Sequence, residues 1–81
     1  MRIEVMFFAQ ARECVGASSL ALELPAASRV KDALEELQRT HPALAALRPH
    51  LAVAVNGELA REGDTLADCA ELALLPPVSG G

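Results

Sequence analysis

The stretch from Ser28 to Pro42 constrains the fold more than any other part of the sequence, because it holds the one strong helical pattern. Ser28 is the predicted N-cap, and Pro42 ends the helix because the residue before a proline avoids the α region. The apolar residues between them recur at i, i+3, i+4 and i+7 and would share one helix face: Val30, Ala33, Leu34 and Leu37. We therefore predict one main helix, from about Val30 to Thr40, with a single face to bury.

Strand patterns lie on both sides of this helix. Alternating apolar and polar residues predict strands over residues 2–9, 19–24, 51–55, 58–61 and 71–75. Asn56-Gly57 is a strong hairpin signal between the third and fourth strands, and residues 10–15 predict a short helical turn closed by Gly16. The order β-β-α-β-β-β predicts an α+β domain in which one main helix covers one face of a mixed sheet, as in a β-grasp (ubiquitin-like) fold.

The size and charge of the chain limit its domains and partners. Its 81 residues suffice for one domain, which we place at residues 1–77, followed by an extended tail at 78–81. The seven basic residues are scattered in a chain of net charge −4, so nucleic-acid binding is not expected.

No apolar run approaches the ~18 residues of a membrane span, and the opening Met1-Arg2-Ile3-Glu4 does not resemble a signal peptide. We expect a cytoplasmic protein without a membrane partner.

The cysteines and histidines form no recognisable site pattern. Cys14 and Cys69 are isolated, and we expect two small buried side chains in a reducing compartment. His41 and His50 lack the neighbouring ligands of a metal site, and His41 precedes Pro42, where it would end the main helix. We expect no metal and no stably bound cofactor.

The sheet face away from the helix is more apolar than a solvated face should be. One helix covers only one face, so the other face should be polar. The residues that alternate with the predicted core positions are nevertheless mostly apolar, apart from Glu4 and Glu71: Met6, Phe8, Ala52, Ala54, Ala73 and Leu75. Leu59, on the short fourth strand, extends this set. The pattern predicts a partner-docking surface. The alternative is that loops cover this face, or that the first and last strands lie centrally and are buried on both sides.

The last predicted strand is followed by two prolines and a tail that ends in two glycines. Pro76 and Pro77 cannot donate to a sheet and favour an extended backbone. Val78 to Gly81 would reach about 13 Å, and glycine, which has no Cβ, can pass through a narrow channel. The Gly81 carboxylate is the group best suited to chemistry, because the sequence contains no nucleophile–base set and no phosphate loop. The alternative is an ordinary frayed chain end.

Three stretches of the chain resemble the small, sulfur-carrying subunit of molybdopterin synthase, a ubiquitin-like β-grasp family: VMFFAQARECVG, LAVAVNGEL and ELALLPPVSGG. The resemblance spans the whole chain, although the helix region matches only in pattern. It implies a protein that is not an enzyme on its own but the sulfur-donating subunit of a complex.

The chemistry that this resemblance implies takes place at the C-terminus. An adenylating (E1-like) enzyme would use ATP to activate Gly81, which would then become a thiocarboxylate. Val78, Ser79 and Gly80 would enter a channel in the large synthase subunit, where the sulfur passes to cyclic pyranopterin monophosphate. Two large and two small subunits would form the working heterotetramer in molybdenum cofactor biosynthesis.

The resemblance also implies a docking surface at Phe8, Leu59 and Leu75, the residues that strand alternation selects. Leu75 departs from the family, where an aromatic residue would be at home, so a smaller contact is expected there. Three alternatives stay open. They are a sibling sulfur carrier for thiamine synthesis or tRNA thiolation, a protein modifier joined to lysine through Gly81, and an interaction domain with an idle tail.

Overall fold

A computed structural model describes residues 1–76 of the chain. Five strands form one mixed sheet: β1 (Arg2–Phe7), β2 (Ser19–Glu23), β3 (Ala52–Val55), β4 (Glu58–Leu59) and β5 (Glu71–Leu75). Three α-helices connect them: α1 (Ala9–Val15), α2 (Val30–Thr40) and α3 (Leu44–Leu47), the last followed by a 3₁₀ turn at Arg48–His50. The predicted boundary between residues 77 and 78 lies outside the described residues and stays a prediction.

The sheet has the order β2-β1-β5-β3-β4, which brings the first and last strands side by side near its middle. β1 and β5 run parallel, whereas the other neighbouring strands are antiparallel. The β3–β4 hairpin turns at Asn56 and Gly57, whose φ angles of 51° and 84° are both left-handed, as a two-residue type I′ turn requires. The α+β fold with one main helix, predicted from the sequence, is confirmed.

Helix α2 covers one face of this sheet and builds the core with it. The four residues of its predicted apolar face are all buried: Val30, Ala33, Leu34 and Leu37. They pack against alternate residues of the two central strands: Ile3, Val5, Phe7, Leu72 and Leu74. Helices α1 and α3 contact each other and add Ala11 and Leu44 to the same core. Burial of these side chains is the main favourable term that a domain of this size has.

Several local expectations are wrong. Arg29, not Ser28, is the N-cap of α2, because the Ser28 hydroxyl is turned inward and donates to the Pro25 carbonyl at 2.7 Å. The Arg29 backbone N–H donates to the Asp32 carboxylate at 2.7 Å, which ties the first turn together. Strand β1 ends two residues earlier than expected, because Ala9 begins α1, and that helix is seven residues long instead of a single turn. The fourth strand is only two residues long.

Candidate docking face and C-terminal exit

The open face, meaning the sheet face away from α2, can be read from the strand register, because directly paired residues project to the same side. Met6 pairs with Ala73, Ala73 with Ala54, and Ala54 with Leu59, so these four residues form a row across the sheet. Leu75 pairs with Ala52 in the next row. The predicted apolar set therefore does lie together on one face.

Phe8 joins the second row because the backbone continues in the strand direction for one residue after β1. Its φ of −126° and ψ of 153° are extended, so its side chain points away from that of Phe7, which pairs with Leu74 in the core. The same residue is the N-cap of α1, where its carbonyl accepts from the Ala11 N–H at 3.1 Å. The strand-to-helix junction thus fixes the position of this aromatic ring.

The exposure of these side chains shows that residues 1–76 leave part of the open face uncovered. Phe8 is 39% exposed and Leu59 is 78% exposed, and they are the two exposed large hydrophobic residues of the described chain. Met6, Ala73 and Leu75 are half-buried. Ala54, which lies between Ala73 and Leu59 in the row, is buried. The first and last strands are central, as one alternative held, but this does not cover Phe8 or Leu59.

The two ends of the open face differ in charge. Glu4 and Glu71 are paired across the parallel strands β1 and β5, and both are exposed at the end where these strands begin. The docking patch of Phe8, Leu59 and Leu75 lies toward the opposite end, where β5 finishes and the chain continues through the exposed Pro76. The apolar part of the face is therefore the part nearest to the outgoing C-terminal segment.

The four tail residues expected to act, Val78, Ser79, Gly80 and Gly81, lie outside the described residues. Their roles, and the binding role of Phe8, Leu59 and Leu75, stay predictions. The structure places the last three on one face of the sheet, and β5 ends at Leu75, where the chain leaves the sheet.

Outside the docking patch, the potential metal ligands of the described chain are not clustered. No cluster of three or more histidine, cysteine, aspartate or glutamate side chains within residues 1–76 could hold a metal ion. In the same range, no helix is both long enough and apolar enough to cross a bilayer. Cys14 packs against the core, but Cys69 is exposed at a turn with φ of 65°, so its expected burial is wrong.

The perturbed titratable groups are surface groups. Three neighbours favour the charged form of the Asp68 carboxylate and hold its pKa below the ordinary value. The largest influence is the Arg2 backbone N–H, which donates to the carboxylate at 2.9 Å. The N-terminal charge and Cys69 act in the same direction. Arg39 likewise lowers the pKa of Glu36, mainly through a side-chain hydrogen bond on α2. Both pairs stabilise local structure and lie outside the docking patch.

The parallel pairing of the terminal strands, with one main helix packed across the sheet, defines the class: the protein is a ubiquitin-like β-grasp domain. Within that class the chain belongs to the ThiS family, whose model matches residues 5–81.

Named relatives cover the whole chain. The molybdopterin synthase sulfur carrier subunit of Arabidopsis thaliana is 36% identical over 81 residues, covering 100% of this chain and 84% of that protein. The crystal structure of SAMP1 from Haloferax volcanii matches with a TM-score of 0.87 and 37% identity, covering 100% of both chains. A complex of subunits 1 and 2 of the molybdopterin-converting factor from Helicobacter pylori matches with a TM-score of 0.70 and 26% identity, again over 100% of both chains.

Proposed function

We propose that this chain is a sulfur carrier of molybdenum cofactor biosynthesis, the small subunit of molybdopterin synthase. The observation that carries the proposal is the full-length similarity to sulfur carrier subunits, in a family whose match extends to Gly81. The apolar patch beside the C-terminal exit supports it, because a carrier must dock on a partner while its tail reaches the partner's active site.

The chemistry begins with activation of the Gly81 carboxylate, which is inert to acyl transfer while it is free. An adenylating enzyme joins one carboxylate oxygen to the α-phosphate of ATP and releases pyrophosphate. A sulfur nucleophile, delivered by that enzyme or its donor, then displaces AMP and leaves a C-terminal thiocarboxylate. No stably bound cofactor on the carrier is needed, because ATP is consumed on the activating enzyme.

Transfer takes place in the large subunit. The thiocarboxylate sulfur attacks a side-chain carbon of cyclic pyranopterin monophosphate and displaces an oxygen substituent from that carbon. Water then hydrolyses the resulting thioester, which leaves the sulfur on the pterin and regenerates the Gly81 carboxylate. A dithiolene contains two sulfur atoms, so two carriers, each bearing a thiocarboxylate, must give up their sulfur for each product molecule. The carrier itself contributes docking and delivery, and the complex with the large subunit, two copies of each, is the enzyme. We place this reaction in the cytoplasm.

Intact-mass spectrometry of the chain purified from its native cell tests this proposal. The expected result is a fraction of the protein in which one C-terminal oxygen is replaced by sulfur. A co-purified large synthase subunit identifies the pathway, whereas a thiamine-synthesis or tRNA-thiolation enzyme in its place indicates a sibling carrier. A chain that never carries sulfur, even when the large subunit is present, contradicts the proposal.

A second candidate function is protein modification. It is favoured by the 38% identity to small archaeal modifier protein 1 of Haloferax volcanii, over 98% of this chain and 100% of that protein. The same activated Gly81 would then be attacked by a lysine amine instead of sulfur, with loss of AMP and formation of an isopeptide bond. Peptide mass spectrometry of the cell lysate distinguishes the two functions, because a modifier leaves its C-terminal residues attached to lysines of other proteins.

A further inference from the structure

A groove continues the docking patch around the edge of the sheet. It has a volume of about 510 Å³ and lies between β4 and the 3₁₀ turn that follows α3. Its floor is apolar and is formed by Leu34, Leu51 and Val53. Leu59, the most exposed large hydrophobic residue of residues 1–76, forms one wall and belongs to the docking patch as well. The groove and the patch are therefore one continuous surface.

Arg61, two residues after the end of β4 at Leu59, lines the groove together with Leu59. The Ala60 N–H donates to the Val53 carbonyl at 2.8 Å, which holds the chain beside β3 for one residue past the end of β4. Ala60 packs against the core, whereas Arg61, the next residue, is exposed.

Arg48 also lines the groove, but its charge is paired with a carboxylate, unlike that of Arg61. The Arg48 guanidinium donates to both carboxylate oxygens of Glu62, at 3.0 and 3.3 Å, and to the Gln38 side-chain oxygen at 2.6 Å. Arg61 is exposed and forms no salt bridge within residues 1–76. The nearby Asp64 carboxylate accepts from the Arg61 backbone N–H at 2.9 Å. Arg61 therefore gives the groove a guanidinium group that forms no salt bridge within residues 1–76, beside apolar lining residues.

We propose that this groove is a second docking subsite, which receives a segment of the large subunit that presents an apolar side chain next to a carboxylate. The proposal rests on the proposed function. The apolar side chain would lie on Leu51 and Val53, and the aspartate or glutamate would pair with Arg61. A guanidinium suits this role, because it pairs with carboxylates in two-point geometry and is weakly hydrated.

The role of Arg48 in this subsite is positioning. Strand β4 pairs through only two residues, and Leu59 is too exposed for packing to fix it. The Arg48–Glu62 pair, together with the Lys31 N–H that donates to the Glu62 carbonyl at 2.9 Å, anchors the segment that follows Leu59 and Arg61. This anchor holds in place both Leu59, which forms the wall of the groove, and Arg61, which provides its positive charge.

The test measures binding of the full chain to the purified large subunit by surface plasmon resonance at several salt concentrations. Arg61→Glu should slow association by roughly tenfold at low salt, since it places like charges together at an interface. The difference should shrink as salt shortens the screening length from about 10 Å at 0.1 M to about 3 Å at 1 M. Arg39→Glu, on the solvent side of α2, is the matched control with the same change in net charge, and it should change association less than twofold.

A cross-link locates the partner group. The Arg61→Lys variant places an amine at the groove, and a zero-length carbodiimide reagent should join position 61 to an aspartate or glutamate of the large subunit adjacent to an apolar residue. The Arg39→Lys variant should give no such cross-link. A cross-link to Gly81 of the same chain would mean that the chain's own C-terminus occupies the groove, and the proposal would be wrong.

The outcomes separate this inference from the proposed function. If Leu59→Ala weakens binding but Arg61→Glu and Arg39→Glu behave alike, the patch docks the large subunit and the groove does not select a carboxylate. If the unmodified chain does not bind the large subunit at all, the proposed function fails and this inference fails with it.

Discussion

Phe7 and Phe8 are consecutive residues with identical side chains, yet they lie in opposite environments. Phe7 is 1% exposed and packs in the core under α2, whereas Phe8 is 39% exposed on the open face. The difference arises from strand geometry, since successive side chains point to opposite faces. One ring stabilises the fold, and the other is exposed where we propose that a partner docks, so adjacent residues could serve folding and binding separately.

The same division holds for the two faces as a whole. The covered face carries the large aliphatic side chains of the central strands, and these are all buried. The open face carries small alanines in its middle, with Phe8, Leu59 and Leu75 around them. The covered face should therefore determine stability, and the open face should determine affinity.

The largest effect of a point substitution should come from Phe7→Ala. Removing a buried phenylalanine typically costs about 3–5 kcal/mol, through lost burial and the cavity left behind. A domain's total stability is only about 5–15 kcal/mol. Urea denaturation should show a much lower midpoint for Phe7→Ala, and Phe8→Ala is the matched control. Similar midpoints for the two variants would mean that the faces are not divided as described.

Phe8→Ala should act on binding instead. Truncation of a buried aromatic anchor in an interface costs more than about 1 kcal/mol, or about a fivefold rise in Kd for the large subunit. Titration calorimetry gives the Kd, and thermal unfolding of the same sample gives the stability, which should change much less. Lost stability with an unaltered Kd would assign Phe8 to the core.

The smallest effect should come from Asp68, which belongs to neither face. The Asp68 carboxylate accepts a hydrogen bond from the Arg2 backbone N–H, which lowers the pKa of Asp68 in the folded state. The contact therefore stabilises the fold at pH values above 3.8, the ordinary pKa of this group. This stabilisation is lost as the pH falls below 3.8 through the pKa of the folded state. Asp68→Asn should therefore flatten the dependence of the unfolding midpoint on pH in that acid range. Unchanged pH curves would show that the contact has no energetic role.

Much of this division could be predicted from the sequence because it depends on local periodicity. The bounds of α2, the alternation of β1 and β5 and the turn at Asn56-Gly57 each follow from residues within a few positions of one another. The groove could not be predicted, because Gln38, Arg48 and Glu62 meet only after the chain has folded. The place of Arg61 likewise depends on strand register. The N-cap was missed because Ser28 has an alternative acceptor, the Pro25 carbonyl.

Reconstitution of sulfur transfer with a chain that lacks Gly81 is the most direct test of the proposal that the folded domain docks while Gly81 delivers the sulfur. Each carrier is prepared with a C-terminal thiocarboxylate and mixed with the large subunit and the pyranopterin substrate, and the dithiolene product is measured. Deletion shortens the reach by about 3.3–3.6 Å, and a misplacement of even ~1 Å at a reacting centre can cost about a hundredfold in rate.

We expect the deletion to abolish sulfur transfer, while the Kd for the large subunit and the unfolding midpoint stay close to those of the full chain. The comparison variant, Phe8→Ala, should still transfer sulfur at saturating large subunit, because its tail is intact. Normal turnover by the chain that lacks Gly81 would contradict the account and would make the tail an ordinary chain end.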